Sequence, residues 1–131
     1  MKVGKNVGII DNQDALLGNH AYDLVSLIDD VRIKTSIELK NQIYNYYVRK
    51  NKIKFKNFYQ DFNILSVQRS LKILGIFSRL FTRDKKNQYL KFLPYTWSLL
   101  ELRMKPKIFF ELEKILNINI PKSYRKKTVF K

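Results

Sequence analysis

The sequence predicts a mainly α domain opened by a short β element. Apolar residues recur at spacings of three and four through most of residues 22–116, the signature of helices with one buried face. A β-branched run broken by glycines, Asn6-Val7-Gly8-Ile9-Ile10, stands at the start. Pro94 and Pro106 suit the first turns of new helices, because proline there loses no helical hydrogen bond.

Val3 to Ile10 reads as a short strand or hairpin arm running into Asp11, Asn12, Gln13 and Asp14. Gly18-Asn19-His20 marks a turn, with Asn19 as N-cap and His20 exposed. A helix over Tyr22 to Arg32 then carries Leu24, Leu27, Ile28 and Val31. Thr35-Ser36-Ile37-Glu38 matches a capping box for a helix to about Arg49, with Leu39, Ile43, Tyr46 and Tyr47 inward. Lys50 to Lys56 reads as a linker. Phe58 to Phe81 is the longest periodic segment, and Ile64, Val67, Leu71 and Leu74 add a second apolar row that implies burial on two sides. Gly75 within it marks a close helix crossing. A charged turn at Thr82 to Asn87 precedes helices at about 94–104 and 106–116, and residues 121–131 form a solvated basic tail after a body spanning 1–120.

With 131 residues the chain can bury a single core. The absence of Cys excludes disulfides and thiolate metal sites, and one His excludes a multi-histidine cage. No apolar run is long enough to span a bilayer and no signal-peptide pattern opens the sequence, so a cytoplasmic setting is expected. The net charge of +15 is unevenly spread, with three basic and five acidic residues in 1–32 against 23 basic and six acidic in 33–131. Such a field attracts polyanions. The joint richness in Lys, Asn, Ile, Tyr and Phe, with 19 Lys to seven Arg, is also what an AT-rich genome writes whatever the function.

Residues 9–32 carry the chemistry. Five of the seven aspartates fall there, at 11, 14, 23, 29 and 30. Hard carboxylate oxygens suit Mg²⁺, which needs one or two of them when substrate phosphates complete its shell. By spacing alone, Asp29 and Asp30 read equally well as solvent-facing, and Asp23 as a first-turn acid favoured by the helix dipole.

The run Val7-Gly8-Ile9-Ile10-Asp11-Asn12-Gln13-Asp14-Ala15-Leu16-Leu17-Gly18, followed by Tyr22-Asp23-Leu24-Val25-Ser26-Leu27 and Asp29-Asp30-Val31-Arg32, resembles the second half of the aminoglycoside phosphotransferase family. Its long form is most similar to the subgroup of kinases that phosphorylate N-acetylmuramate and N-acetylglucosamine at the anomeric carbon. Gln68-Arg69, Leu74-Gly75-Ile76-Phe77, Leu80, Arg83-Asp84, Tyr89-Leu90 and Leu93-Pro94 extend the resemblance over roughly residues 7–104. It implies the helical C-terminal lobe of a protein-kinase-like fold, with ATP as co-substrate and Mg²⁺ as cofactor. Asp11 stands at the metal-binding aspartate, which neutralises charge on the phosphates during transfer. Asp14 faces the substrate or braces the loop. Asp23 starts the family's Tyr-Asp-Leu helix in a structural role, and Arg32 pairs with Asp29 or an upstream loop.

Two departures qualify the resemblance. Asn12 replaces the family's usual aromatic beside the metal ligand. The nucleotide-binding lobe with its phosphate-positioning Lys, and the catalytic loop with its His, base Asp and metal-binding Asn, have no counterpart, since the single His is followed by Ala21-Tyr22-Asp23. Phosphoryl transfer needs several groups acting on one phosphate, so the chain is expected to be a kinase part, inactive alone, that acts on a nucleotide and a sugar-like substrate once the other lobe is supplied. The missing lobe would leave apolar surface exposed and favour association. The alternative is a basic helical module that binds nucleic acid or acidic surfaces, with Tyr44, Tyr46 or Tyr47 free for stacking.

Overall fold

The computed structural model describes residues 2–3, 6–7 and 17–126. Strands β1 (Lys2–Val3) and β2 (Asn6–Val7) form a minimal antiparallel ladder, with Lys2 opposite Val7 and Val3 opposite Asn6. Six helices follow among the described residues: α1 (Ala21–Ile28), α2 (Ile37–Lys50), α3 (Phe55–Thr82), α4 (Leu93–Arg103), α5 (Phe110–Asn119) and α6 (Lys122–Arg125). Segments of 3-10 helix, Asn87–Phe92 and Lys107–Phe109, lead into α4 and α5. The mainly α expectation with a short β opening holds.

Helix α3 is the spine. Its 28 residues extend about 42 Å at 1.5 Å per residue, long enough to carry two separate apolar clusters. The first joins Ala21, Leu24, Val25 and Ile28 of α1 to Tyr44 and Val48 of α2 and to Phe58 and Phe62 of α3. The second joins Val67 and Leu74 of α3 to Leu93, Trp97 and Leu100 of α4, with Met104, Phe109 and Leu116. The two-sided burial expected of α3 is present, although Ile64 of the expected second row is exposed. Ser66 and Ser70 are buried along α3 instead, small enough to let neighbouring helices approach.

Several local expectations shift. The N-cap of α1 is His20, whose side chain makes no capping bond, not Asn19; one residue earlier, the Asn19 side-chain oxygen accepts from the Ala21 N–H at 2.9 Å, while its amide donates to Asp61 of α3 at 2.7 Å. Leu27 lies on the outer face of α1 at 68% exposure, because Ala21, Leu24, Val25 and Ile28 already fill the inward stripe. The cap of α2 is Ser36, not Thr35: its hydroxyl accepts from the Leu39 N–H at 3.2 Å. The buried face of α2 is accordingly Lys40, Tyr44 and Val48, with Ile43 and Tyr47 partly buried and Leu39 and Tyr46 exposed.

Gly75 does not mark a close crossing, since a Cβ placed there meets nothing within 4 Å. Pro94 sits in the first turn of α4 as expected, whereas Pro106 precedes the 3-10 segment and α5 begins four residues later. The tail is not wholly solvated. Arg125 is buried, donating to the Ile120 carbonyl, to Glu101 and to Asn117, each at 2.8 Å, with its guanidinium 4.8 Å from the Trp97 ring centre. Lys122 and Lys126 are exposed, and residues 127–131 lie outside the described residues.

Two substitutions test this reading of α3 and α2 by thermal melts. Gly75→Ala adds a methyl group into open space within a helix and should stabilise the chain by about 1 kcal/mol. Ser36→Ala removes the cap and should cost about 1 kcal/mol, whereas Thr35→Ala should cost less.

Candidate functional site

Asp11 and Asp14, the expected metal ligand and its neighbour, lie outside the described residues. The structure describes the helical body that follows them in the chain, beginning where Asn19 ties the entry of α1 to Asp61 on α3. Asp23 is exposed in the first turn of α1, where its charge meets the positive end of the helix dipole. His20 is exposed in the turn before it, as expected.

Arg32 pairs with Asp30, not Asp29. Its Nη2 and Nε donate to the two carboxylate oxygens at 2.6 and 3.0 Å, and its backbone N–H donates to Oδ1 at 2.8 Å. The hydrogen bond from the Arg32 side chain holds the Asp30 carboxyl below its ordinary value. The guanidinium is largely exposed, so this pair contributes little to stability.

Asp29 is not solvent-facing; it is 2% exposed and carries the densest electrostatic arrangement among the described residues. It caps the C-terminus of α1, where the helix dipole opposes a negative charge. Three helices supply compensation. Lys40 of α2 donates to Oδ1 at 3.1 Å and also to the Ile28 carbonyl. Ser66 of α3 donates to Oδ2 at 2.8 Å. Arg103 of α4 approaches in fork geometry, with Nε at 2.8 Å from Oδ2 and Nη2 at 3.0 Å from Oδ1. Burial pushes the Asp29 carboxyl up, but the hydrogen bonds and charges of Arg103, Ser66 and Lys40 outweigh it and leave the group below its ordinary value. Arg103 also lies over the Phe62 ring at 4.9 Å, which joins the ion cluster to the first apolar cluster.

The sequence contained two signals for this cluster that periodicity overlooks: an aspartate at a helix C-terminus, and a lysine on the face of α2 that turns inward. Arg69 on α3, which enters the sequence reading only within the resemblance, also makes a contact that spacing does not reveal. It is half-buried, and its Nε donates to Ser26 on α1 at 3.1 Å. Of the tyrosines considered for stacking, Tyr44 is buried against Phe58 and Phe62, and Tyr47 stacks on Phe58. Tyr46 is exposed at 62%.

Among the described residues no three His, Cys, Asp or Glu side chains gather as a metal site, and no helix is long and apolar enough to cross a membrane. An open cleft of about 250 Å³ lies between Tyr59, Gln60 and Asn63 of α3 and the turn of Pro106, Ile108 and Phe109. Removal of the Asp29 charge leaves Lys40 and Arg103 uncompensated. Asp29→Asn should therefore destabilise the chain by about 3–5 kcal/mol, whereas Asp30→Asn, at the exposed pair, should cost less than about 1 kcal/mol in the same denaturant titration.

No family model matches the chain. Curated relatives, each called N-acetylmuramate/N-acetylglucosamine kinase, do match. That of Caulobacter vibrioides is 31% identical over 121 residues, covering 92% of this chain and 33% of the relative. That of Neisseria meningitidis serogroup B is 40% identical over 89 residues, covering 63% of this chain and 27% of the relative. That of Pseudomonas aeruginosa is 33% identical over 103 residues, covering 73% and 30%. The chain is thus similar, over most of its own length, to about a third of the length of these sugar kinases.

Proposed function

We propose that this chain is the helical part of an amino-sugar kinase of the aminoglycoside phosphotransferase type, in which phosphate passes from ATP to a sugar hydroxyl. The observation that carries the reading is the match to the Caulobacter vibrioides kinase over 92% of the chain, a span that includes the body built around Asp29. A cytoplasmic setting accords with the use of ATP.

In this reading Asp11 holds Mg²⁺, and Asp14, three residues on, faces the sugar or braces the loop. A lone carboxylate suits Mg²⁺, which keeps several waters and takes other oxygens from substrate phosphates. Bound there, the metal would neutralise charge building on the transferred phosphoryl group. The base, the phosphate-positioning lysine and the second metal ligand are assigned to polypeptide beyond these 131 residues, since the matched relatives are about three times as long. The contribution of the described body is positional: a helical platform that anchors Asn19 at the entry of α1.

The test begins with the coding DNA upstream of Met1, expressed together with this chain and assayed with ATP, Mg²⁺ and N-acetylglucosamine. Phosphorylation of the sugar is expected, and Asp11→Ala should lower kcat by about 10²-fold or more, the scale on which loss of one group stabilising transition-state charge acts. The 131-residue chain alone should show no turnover. Unchanged turnover in the Asp11→Ala protein would contradict the metal assignment, and absence of sugar phosphorylation by the longer product would contradict the kinase reading.

A further inference from the structure

We propose that Arg69 is a specificity-determining residue that binds the carboxylate of an N-acetylmuramate acceptor. The inference rests on the amino-sugar kinase reading and deepens it. Of the arginines in the described region, Arg32, Arg83, Arg103 and Arg125 are each committed to a carboxylate. Arg69 is the half-buried one that has no such partner among the described residues. Its Nε is held by the Ser26 hydroxyl at 3.1 Å, and Ser26 in turn donates to the Tyr22 carbonyl at 3.0 Å. One edge of the guanidinium is therefore anchored to α1, while both terminal nitrogens have no protein acceptor among the described residues.

The surroundings favour an anion. Lys72 follows one turn later on α3, is exposed and forms no ion pair among the described residues, and α3 has no acidic residue between Asp61 and its end at Thr82. Asp30 feels the Arg69 charge, but no hydrogen bond or ion pair joins the two among the described residues, and Asp30 pairs with Arg32 instead. A planar fork with two outward nitrogens matches a carboxylate in bidentate geometry. The two sugars in the relatives' name differ by one such group, because N-acetylmuramate carries a lactyl carboxylate that N-acetylglucosamine lacks. The anchoring helix α1 is also, among the described residues, the first helix that follows Asp11 in sequence.

The experiment measures binding of N-acetylmuramate, N-acetylglucosamine and N-acetylglucosamine 1-phosphate to the 131-residue chain by ligand-observed NMR, with no nucleotide present. N-acetylmuramate should bind about tenfold or more tightly than N-acetylglucosamine, the worth of one charge-assisted fork. Arg69→Met should bring that ratio close to one, and Arg69→Lys should restore part of it. Thermal melts of both variants confirm that they remain folded. A ratio unchanged in Arg69→Met overturns the inference, as does an equal loss of both sugars, which marks a merely structural role. Selective loss of the sugar phosphate overturns it in favour of a phosphate site. If N-acetylglucosamine binds and N-acetylmuramate gains nothing, the Arg69 assignment fails while the kinase reading stands on its own turnover assay. Binding of neither sugar overturns the assignment for this chain.

Discussion

A carboxylate with 2% of its surface exposed must have its desolvation offset by charge and hydrogen bonds, and Asp29 meets that requirement with one group from each of three other helices. The constraint is mutual. If α2, α3 or α4 moves away, a buried charge or hydroxyl loses its partner, so the relative placement of four helices depends on a single side chain. The cluster also lies at the seam between the two apolar clusters: Ile28 precedes Asp29 and belongs to the first, while Val67 and Met104 follow Ser66 and Arg103 and belong to the second. Apolar packing in each cluster is nondirectional, whereas the fork of Arg103 and the reach of Lys40 are directional. The ion cluster therefore selects one arrangement among the many that hydrophobic burial alone would tolerate.

This explains which parts of the fold were legible. Although α1 stops at Ile28, short of Arg32, and α3 starts at Phe55, inside the expected linker, the presence of α1, α3 and α4 follows from their apolar stripes. The phase of α2 does not. Leu39, Ile43, Tyr46 and Tyr47 form the more apolar stripe, yet Lys40 must face inward to reach Asp29, and that rotates Leu39 and Tyr46 into solvent. Arg125 was read as tail for a related reason: its burial depends on Glu101, Asn117 and the Trp97 face, partners up to 28 residues away in sequence that no local pattern reveals. Gly75 was assigned to a crossing on residue type alone, and the space around it shows no neighbour that requires glycine.

The expected site at Asp11 and Asp14 rests on resemblance and lies outside the described residues. Asp11 and Asp14 gain meaning from the resemblance of residues 7–32 to sugar phosphotransferases, and similarity to N-acetylmuramate/N-acetylglucosamine kinases extends that resemblance across most of the chain. What the helical body adds is rigidity at the exit of that segment, through the Asn19–Asp61 bond at the start of α1 and the Asp29 cluster at its end. For the proposed kinase such a support matters, because small displacements of a metal ligand or acceptor cost large factors in rate. Tyr44 and Tyr47 are absorbed into the aromatic packing of the first apolar cluster, which removes two of the three stacking groups that a nucleic-acid module would use.

The central claim is that the charged form of Asp29 holds the helices together. Because its pKa in the folded chain lies below the unfolded value of about 3.9, its contribution is fully present above that value and is lost as pH falls through the lower folded one. The most direct measurement follows the side-chain carboxyl carbons by NMR during acid titration, alongside the fluorescence of Trp97, the one tryptophan, which is buried in the second cluster. The account predicts that Asp29 stays charged below the ordinary carboxylate range, and that the tertiary signal of Trp97 collapses together with Asp29 protonation. Titration of Asp29 in the ordinary carboxylate range with the Trp97 signal intact would contradict it.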